Sequence, residues 1–209
     1  MILKHTAIHD HRNLYFNLYE TMKEGGTIDQ WVSLVEKSAA TLTDENEERQ
    51  GDIQNNLRGN MLEIFAEIFF HTHEHDERVG IKDYTPVPLG EDYGVDAVGI
   101  NVAGDKCAVQ VKYRGNLTEQ VFYKDLAKTC TDALLYHDVP IKEKNSVIFL
   151  VTTGAGANHI AKNRLGRKLV IIDREFLRRC VDNNKSFWGT AYNTVYDTLD
   201  NKQGDNDGN

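Results

Sequence analysis

The chain has 209 residues and only three cysteines, Cys107, Cys130 and Cys180. Odd in number and widely spaced, they suggest neither a disulfide framework nor a zinc pattern. No apolar run approaches the roughly 18–20 residues that a membrane span needs. The opening MILKHTAIHDHRN lacks the apolar stretch of a secretory signal. The expected setting is a reducing cytoplasm, with no membrane partner. Prolines number three, and no Pro- or Gly-rich linker or internal repeat marks a firm domain boundary. Gly154-Ala155-Gly156 lacks the Lys-Ser/Thr of a P-loop and the spacing of a dinucleotide fingerprint, which argues against nucleotide binding. A surplus of basic charge is missing too, since 24 Lys and Arg face 32 Asp and Glu, a net charge of −8. What remains, 40% apolar and 9% aromatic residues, fits a globular core with a small appendage.

The charge is unevenly spread. Residues 44–52, Glu91-Asp92 and the C-terminal tail are acidic, whereas residues 162–179 hold seven basic side chains against two acids, net +5. Such a segment suits local contact with a polyanion even in an acidic chain.

Helical spacing organises most of the sequence. Leu14, Leu18, Tyr19 and Met22 form one pattern, stopped by Gly25-Gly26, and Thr27 starts a second through Trp31 and Val35. These predict an N-terminal helical extension over residues 1–52, read as a packed wrap. From Ile53 to Phe69 a longer helix is expected, with Glu63 and Glu67 one turn apart and Glu67 facing solvent. His71, His73 and His75 lack zinc spacing and are read as a solvated helix end. Residues 80–94, with Pro86 and Pro88, read as an extended lead-in. Thr118 is the expected cap of a helix running to about Tyr136, with Phe122, Leu126, Cys130, Ala133 and Leu134 on its apolar stripe. Residues 146–153 and 169–172 read as buried strands. Asp173 caps the next helix, residues 187–199 form the last, and residues 200–209 are an expected disordered tail.

Residues 95–102 and 106–113 read as two strands joined by a turn at Ala103-Gly104-Asp105. Alternation puts Gln110 and Lys112 on one face of the second strand. Antiparallel pairing brings Asp96 towards the same strand end. An acid, an amide and a lysine on a pair otherwise built of Val, Ile and Ala require a reason.

Asp96, a short turn and Gln110-x-Lys112 together resemble the PD-(D/E)XK, or restriction-endonuclease-like, nucleases. Gln110 stands where most members carry an acid, a QxK variant, and Val95 replaces the usual proline. Gly59-Asn60-Met61-Leu62-Glu63 matches the preceding helix of that family, with Glu63 its acid. Val151-Thr152-Thr153-Gly154, a helix and residues 169–173 are similar to the Mrr-type branch. The resemblance spans residues 57–180.

It implies an α/β restriction-endonuclease-like core over residues 53–199, with a mixed central sheet flanked by helices. It further implies Mg²⁺-dependent cleavage of DNA phosphodiester bonds, with Mn²⁺ as a substitute. Asp96, Glu63, Gln110 and the Val111 carbonyl are the expected ligands, and Lys112 the group that orients water or steadies phosphate. Arg114, Lys124, Lys162, Arg164, Arg167 and Lys168 are the expected DNA contacts, and a homodimer or higher homo-oligomer is expected. The neutral Gln110 also admits a nuclease-fold protein that binds DNA or a partner without cutting.

Overall fold

The computed structural model describes residues 1–90, 94–141 and 145–201. In chain order the helices and strands are α1 (Arg12–Met22), α2 (Ile28–Ala40), α3 (Glu47–Thr72), β1 (Ile81–Pro86), β2 (Ala97–Asn101), β3 (Lys106–Lys112), α4 (Tyr123–His137), β4 (Ile148–Thr152), α5 (His159–Leu165), β5 (Leu169–Ile172), α6 (Arg174–Val181) and α7 (Lys185–Asn201). Contacts group Met1–Ile68 with Leu177–Asn209 as one unit and Phe69–Phe176 as the other. These divisions fall at different residues from the sequence boundaries near 52 and 199. Glu91, Asp92 and Tyr93, and tail residues 202–209, lie outside the described residues.

The first unit is helical. Helix α1 ends before Gly25-Gly26, as expected, and α2 opens on a capping box. In it Gln30 N donates to Thr27 Oγ1 at 3.2 Å and Thr27 N donates to Gln30 Oε1 at 2.9 Å. Helix α3 starts earlier than Ile53, because Asn46 Oδ1 accepts from the backbone N–H groups of Glu48 and Arg49. Trp31, Phe65 and Trp188 are fully buried, with the Phe65 ring 5.0 Å from Trp31 and 6.1 Å from Trp188. Trp188 Nε1 is satisfied by the carbonyls of Gly26 and Val181, so the indole is buried without an orphaned donor.

Glu67 corrects the sequence expectation of a solvent-facing acid. It is 3% exposed and accepts hydrogen bonds from Lys4 N at 2.7 Å and His5 N at 3.1 Å. Burial pushes its carboxyl above the ordinary glutamate range, and those two backbone donors oppose the shift.

The second unit is a mixed sheet. Among the described residues it has five strands in the order β1-β2-β3-β4-β5, with antiparallel pairing between β1, β2 and β3 and parallel pairing between β3, β4 and β5. The register Ala108↔Ile148↔Leu169 places Gln110, Leu150 and Ile171 on one face. Leu126 and Ala133 of α4, together with Ala161 of α5, pack against that face. The last turn of α3 covers the other, where Phe70 meets Phe149 with centroids 5.7 Å apart. This is the mixed central sheet flanked by helices that the resemblance implies.

Three local readings change. The lead-in with Pro86 is an edge strand, because β1 pairs with β2 across a bulge between Lys82 and Thr85. Helix α4 begins at Tyr123, not near Thr118, whose N–H and hydroxyl instead donate to Asn116 Oδ1. Val121 bridges to Ala157 in that interval. Phe122 and Leu134, expected on the apolar stripe, are exposed. The hairpin turn forms as expected, with Gly104 at φ +86°. Asn101 organises it, accepting from Ala103 N and Asp105 N through Oδ1.

Candidate active site

Asp96 sits immediately before β2, at the point where the chain crosses from the end of β1 to pair with β3. Its N–H donates to Val109 O at 2.9 Å and its carbonyl accepts from Val87 N at 3.0 Å, so the backbone is held on both sides. The register Ala97↔Val109 then sets Asp96 opposite Gln110. Asp96 is 9% exposed and Gln110 is 1% exposed. Asp96 Oδ2 accepts from Gln110 Nε2 and from Val111 N, both at 2.5 Å. Two donors on one buried carboxylate oxygen fix the orientation of the group.

The other end of the Gln110 amide is also held. Its Oε1 accepts from the Thr129 hydroxyl of α4 at 2.6 Å, and that hydroxyl lies 3.3 Å from Asp125 O. Strand geometry points the N–H and C=O of one residue to the same side. The Val111 carbonyl therefore faces the Asp96 side, as its N–H does. Lys112 follows on the Gln110 face, half-buried, while its backbone carbonyl accepts from Thr152 Oγ1 at 2.7 Å. Its ammonium makes no ion pair among the described residues.

Of the four residues expected to act together, Asp96, Gln110 and Lys112 share one strand end of the second unit. Glu63 belongs to the first unit, where its Oε2 lies 2.8 Å from Nε2 of the buried His5. Thr129 is an addition that the sequence reading lacks. Its only signal there is a hydroxyl at i+3 from Leu126 and four residues before Ala133, inside an otherwise apolar stripe. Cys107 offers no rival nucleophile, because burial pushes its thiol up to about 12.

No family model matches the chain, and no curated protein matches it. A solved structure, the MspJI restriction endonuclease in complex with a 27-mer oligonucleotide, is similar at 17% identity and a TM-score of 0.42. The likeness covers 79% of this chain and 38% of that one.

Among the described residues, no group of three or more His, Cys, Asp and Glu side chains is placed to hold a metal ion. Mg²⁺ does not need one: it commonly keeps several waters and binds through one or two carboxylates. The donors at Asp96 are hard oxygens of that kind, the carboxylate and the Val111 carbonyl. Gln110 turns its NH₂ towards Asp96, so its oxygen reaches a cation only if the amide reverses. Thr129 suits either state, since its hydroxyl can accept from the NH₂ while donating to Asp125 O.

The expected DNA contacts divide into two groups. Lys124, Lys162, Arg164 and Arg167 are exposed, and the Arg164 guanidinium lies 4.6 Å from the centre of the Tyr123 ring. Arg114 is engaged within the fold, its Nε 2.8 Å from Glu119 Oε1, and Lys168 Nζ donates to Ser146 O at 3.2 Å. In the same basic segment Arg174 is buried and donates to Thr153 O, and Arg178 pairs with Asp29. The segment's positive surface is thus smaller than its composition suggests.

Proposed function

We propose that the chain is a Mg²⁺-dependent endodeoxyribonuclease of the PD-(D/E)XK type, a QxK variant of the Mrr-type branch. The observation that carries this reading is the buried contact of Asp96 with Gln110 and Val111, with Lys112 next on the same face. DNA is the proposed substrate, Mn²⁺ a substitute metal, the cytoplasm the setting and a homodimer the assembly. Residues 53–199 are the proposed nuclease core.

A divalent cation held there would offset phosphate charge and lower the pKa of a water. The remaining work falls to this chain's residues. Asp96 holds its carboxylate in one orientation through two N–H donors. Gln110 steadies Asp96 through its Nε2 without adding charge, and Lys112 donates to a phosphate oxygen or orients the attacking water. Lys124, Lys162, Arg164 and Arg167 hold the DNA backbone.

The test is cleavage of linear, nicked, branched and methylated DNA with Mg²⁺ by the wild type and by Asp96→Asn and Lys112→Ala. Both variants are expected to lose at least about 100-fold in rate while melting near the wild type. Asparagine is the right probe, since Asp96→Ala would orphan the buried Val111 N–H and cost about 1–3 kcal/mol. Full cleavage by either variant sinks the assignment. A second reading, DNA binding without cutting, is favoured by the neutral Gln110 with its NH₂ towards Asp96. Wild-type binding with no cleavage of any substrate would select it.

A further inference from the structure

The helix that supports Gln110 begins at an exposed aromatic ring. Phe122 occupies the N-cap position of α4 in an extended conformation, φ −89° and ψ 155°, and makes no side-chain cap. Ser, Thr, Asp or Asn would satisfy a free N–H there, so phenylalanine forgoes that stabilisation. Its ring is 54% exposed, and Ile160 in the first turn of α5 is 43% exposed. A lone surface hydrophobe is ordinary, but these two line one cleft of about 430 Å³ together with Tyr123, Lys124, Asn158 and Arg164. The backbone beneath it is fixed, since Val121 N donates to Gly156 O at 2.8 Å and Asn158 N to Val121 O at 2.9 Å. Lys124 and Arg164 are exposed, neither forms an ion pair, and no carboxylate lines the cleft among the described residues. The Arg164 guanidinium instead lies over the Tyr123 ring, 4.6 Å from its centre. The segments that build the cleft leave β3 and β4 at the end where Lys112 stands. Tyr123 precedes Thr129 by six residues, roughly 9 Å along α4.

An apolar floor flanked by unpaired cations matches a ligand that alternates flat rings with phosphates. We propose that this cleft holds an unpaired nucleotide of single-stranded DNA, its base stacked on Phe122 beside Ile160 and its phosphates met by Lys124 and Arg164. Duplex DNA turns phosphates and sugars outward and covers its base faces by stacking, so it would engage the cations and leave Phe122 in water. An unpaired base offers its face, and stacking on an aromatic side chain serves all four bases. Arg164, laid flat on Tyr123, presents a planar cation of the kind that stacks as well as pairs with phosphate. The inference rests on the nuclease reading for the choice of DNA, and it narrows the substrate class to DNA with an unpaired segment, such as an end, a flap or a branch.

Anisotropy titrations of the full chain test this, using a labelled oligodeoxythymidylate and a labelled duplex of the same length, with EDTA present to prevent cleavage. Phe122→Leu keeps the apolar bulk and loses the flat ring, whereas Phe122→Tyr keeps the ring. Phe122→Leu should weaken single-strand binding about tenfold, leave duplex binding unchanged and melt near the wild-type temperature. Phe122→Tyr should retain single-strand affinity. Equal losses on both probes, or unaltered single-strand affinity in Phe122→Leu, overturn the stacking role while leaving the nuclease reading standing. Tighter binding of oligouridylate than of oligodeoxythymidylate gives the cleft to RNA and overturns the choice of DNA. A dimer in light scattering that Phe122→Leu splits, with single-strand affinity unchanged, gives the cleft to a second copy and overturns the proposal. Wild type that binds neither probe yet cleaves DNA with Mg²⁺ overturns the cleft alone, and wild type that neither binds nor cleaves overturns both readings. Should Phe122→Leu fail to fold, Phe122→Met carries the same comparison.

Discussion

At position 110 one buried amide is held at both ends, by Asp96 and by Thr129. Gln110→Glu keeps the shape but sets a carboxylate against the Asp96 carboxylate, and Nε2, the donor to Asp96, is removed. Without metal the variant should be less stable by about 1–3 kcal/mol, and divalent cations should raise its melting temperature by more than they raise the wild type's. An equal rise in both proteins would remove Gln110 from the cation's surroundings. Glu67 predicts a pH effect. Its carboxyl is shifted up, chiefly by burial, so the folded state holds the proton more tightly than the unfolded chain does. That contribution is fully present below the ordinary glutamate range and is lost as pH rises through the raised value. Melting curves from about pH 4 to about pH 7 should therefore show Glu67→Gln gaining on the wild type as pH rises. A constant difference would mean that Glu67 does not titrate differently on folding.

Helix α4 joins the candidate site to its support. Thr129→Val is isosteric, leaves Gln110 Oε1 without its donor, and should cost about 1–3 kcal/mol in urea unfolding. A neutral result would mean that water replaces the hydroxyl. What can be read from the sequence depends on how local the cause is. The reading of residues 146–153 locates β4, the Thr27 cap begins α2, and Asp173 Oδ1 accepts from Phe176 N as expected, because all three rest on neighbours in sequence. The start of α4 escapes such a reading because its cause is distant: Ala155 N donates to Glu119 O and Asn158 N to Val121 O, which keeps residues 119–121 extended. Glu67 escapes it for a similar reason, since its partners Lys4 and His5 stand more than sixty positions away. At the site, the grouping of Asp96, Gln110 and Lys112 at one strand end follows from alternation and antiparallel pairing, whereas Thr129 requires the docking of α4 on the sheet.

Over the whole chain a net charge of −8 coexists with a few exposed cations in the second unit. If those cations meet DNA phosphates, converting Lys124, Arg164 and Arg167 to alanine should reduce the slope of log affinity against log salt by about 0.9 for each phosphate no longer neutralised. Arg174→Ala should leave that slope alone and instead lower the melting temperature, because this arginine is buried against Thr153 O. An unchanged slope in the triple variant would move the DNA to another surface. The β1 edge has a consequence for crowded solutions. Strand addition needs an unbroken row of donors and acceptors in one register. On β1 an arriving strand meets the Lys82/Thr85 bulge, Asp83 at φ +54°, two exposed charges and the missing N–H of Pro86. Folded molecules pressed together at this edge find no template, so the border of the sheet is protected from ribbon-like aggregation by the same irregularity that obscures it in the sequence.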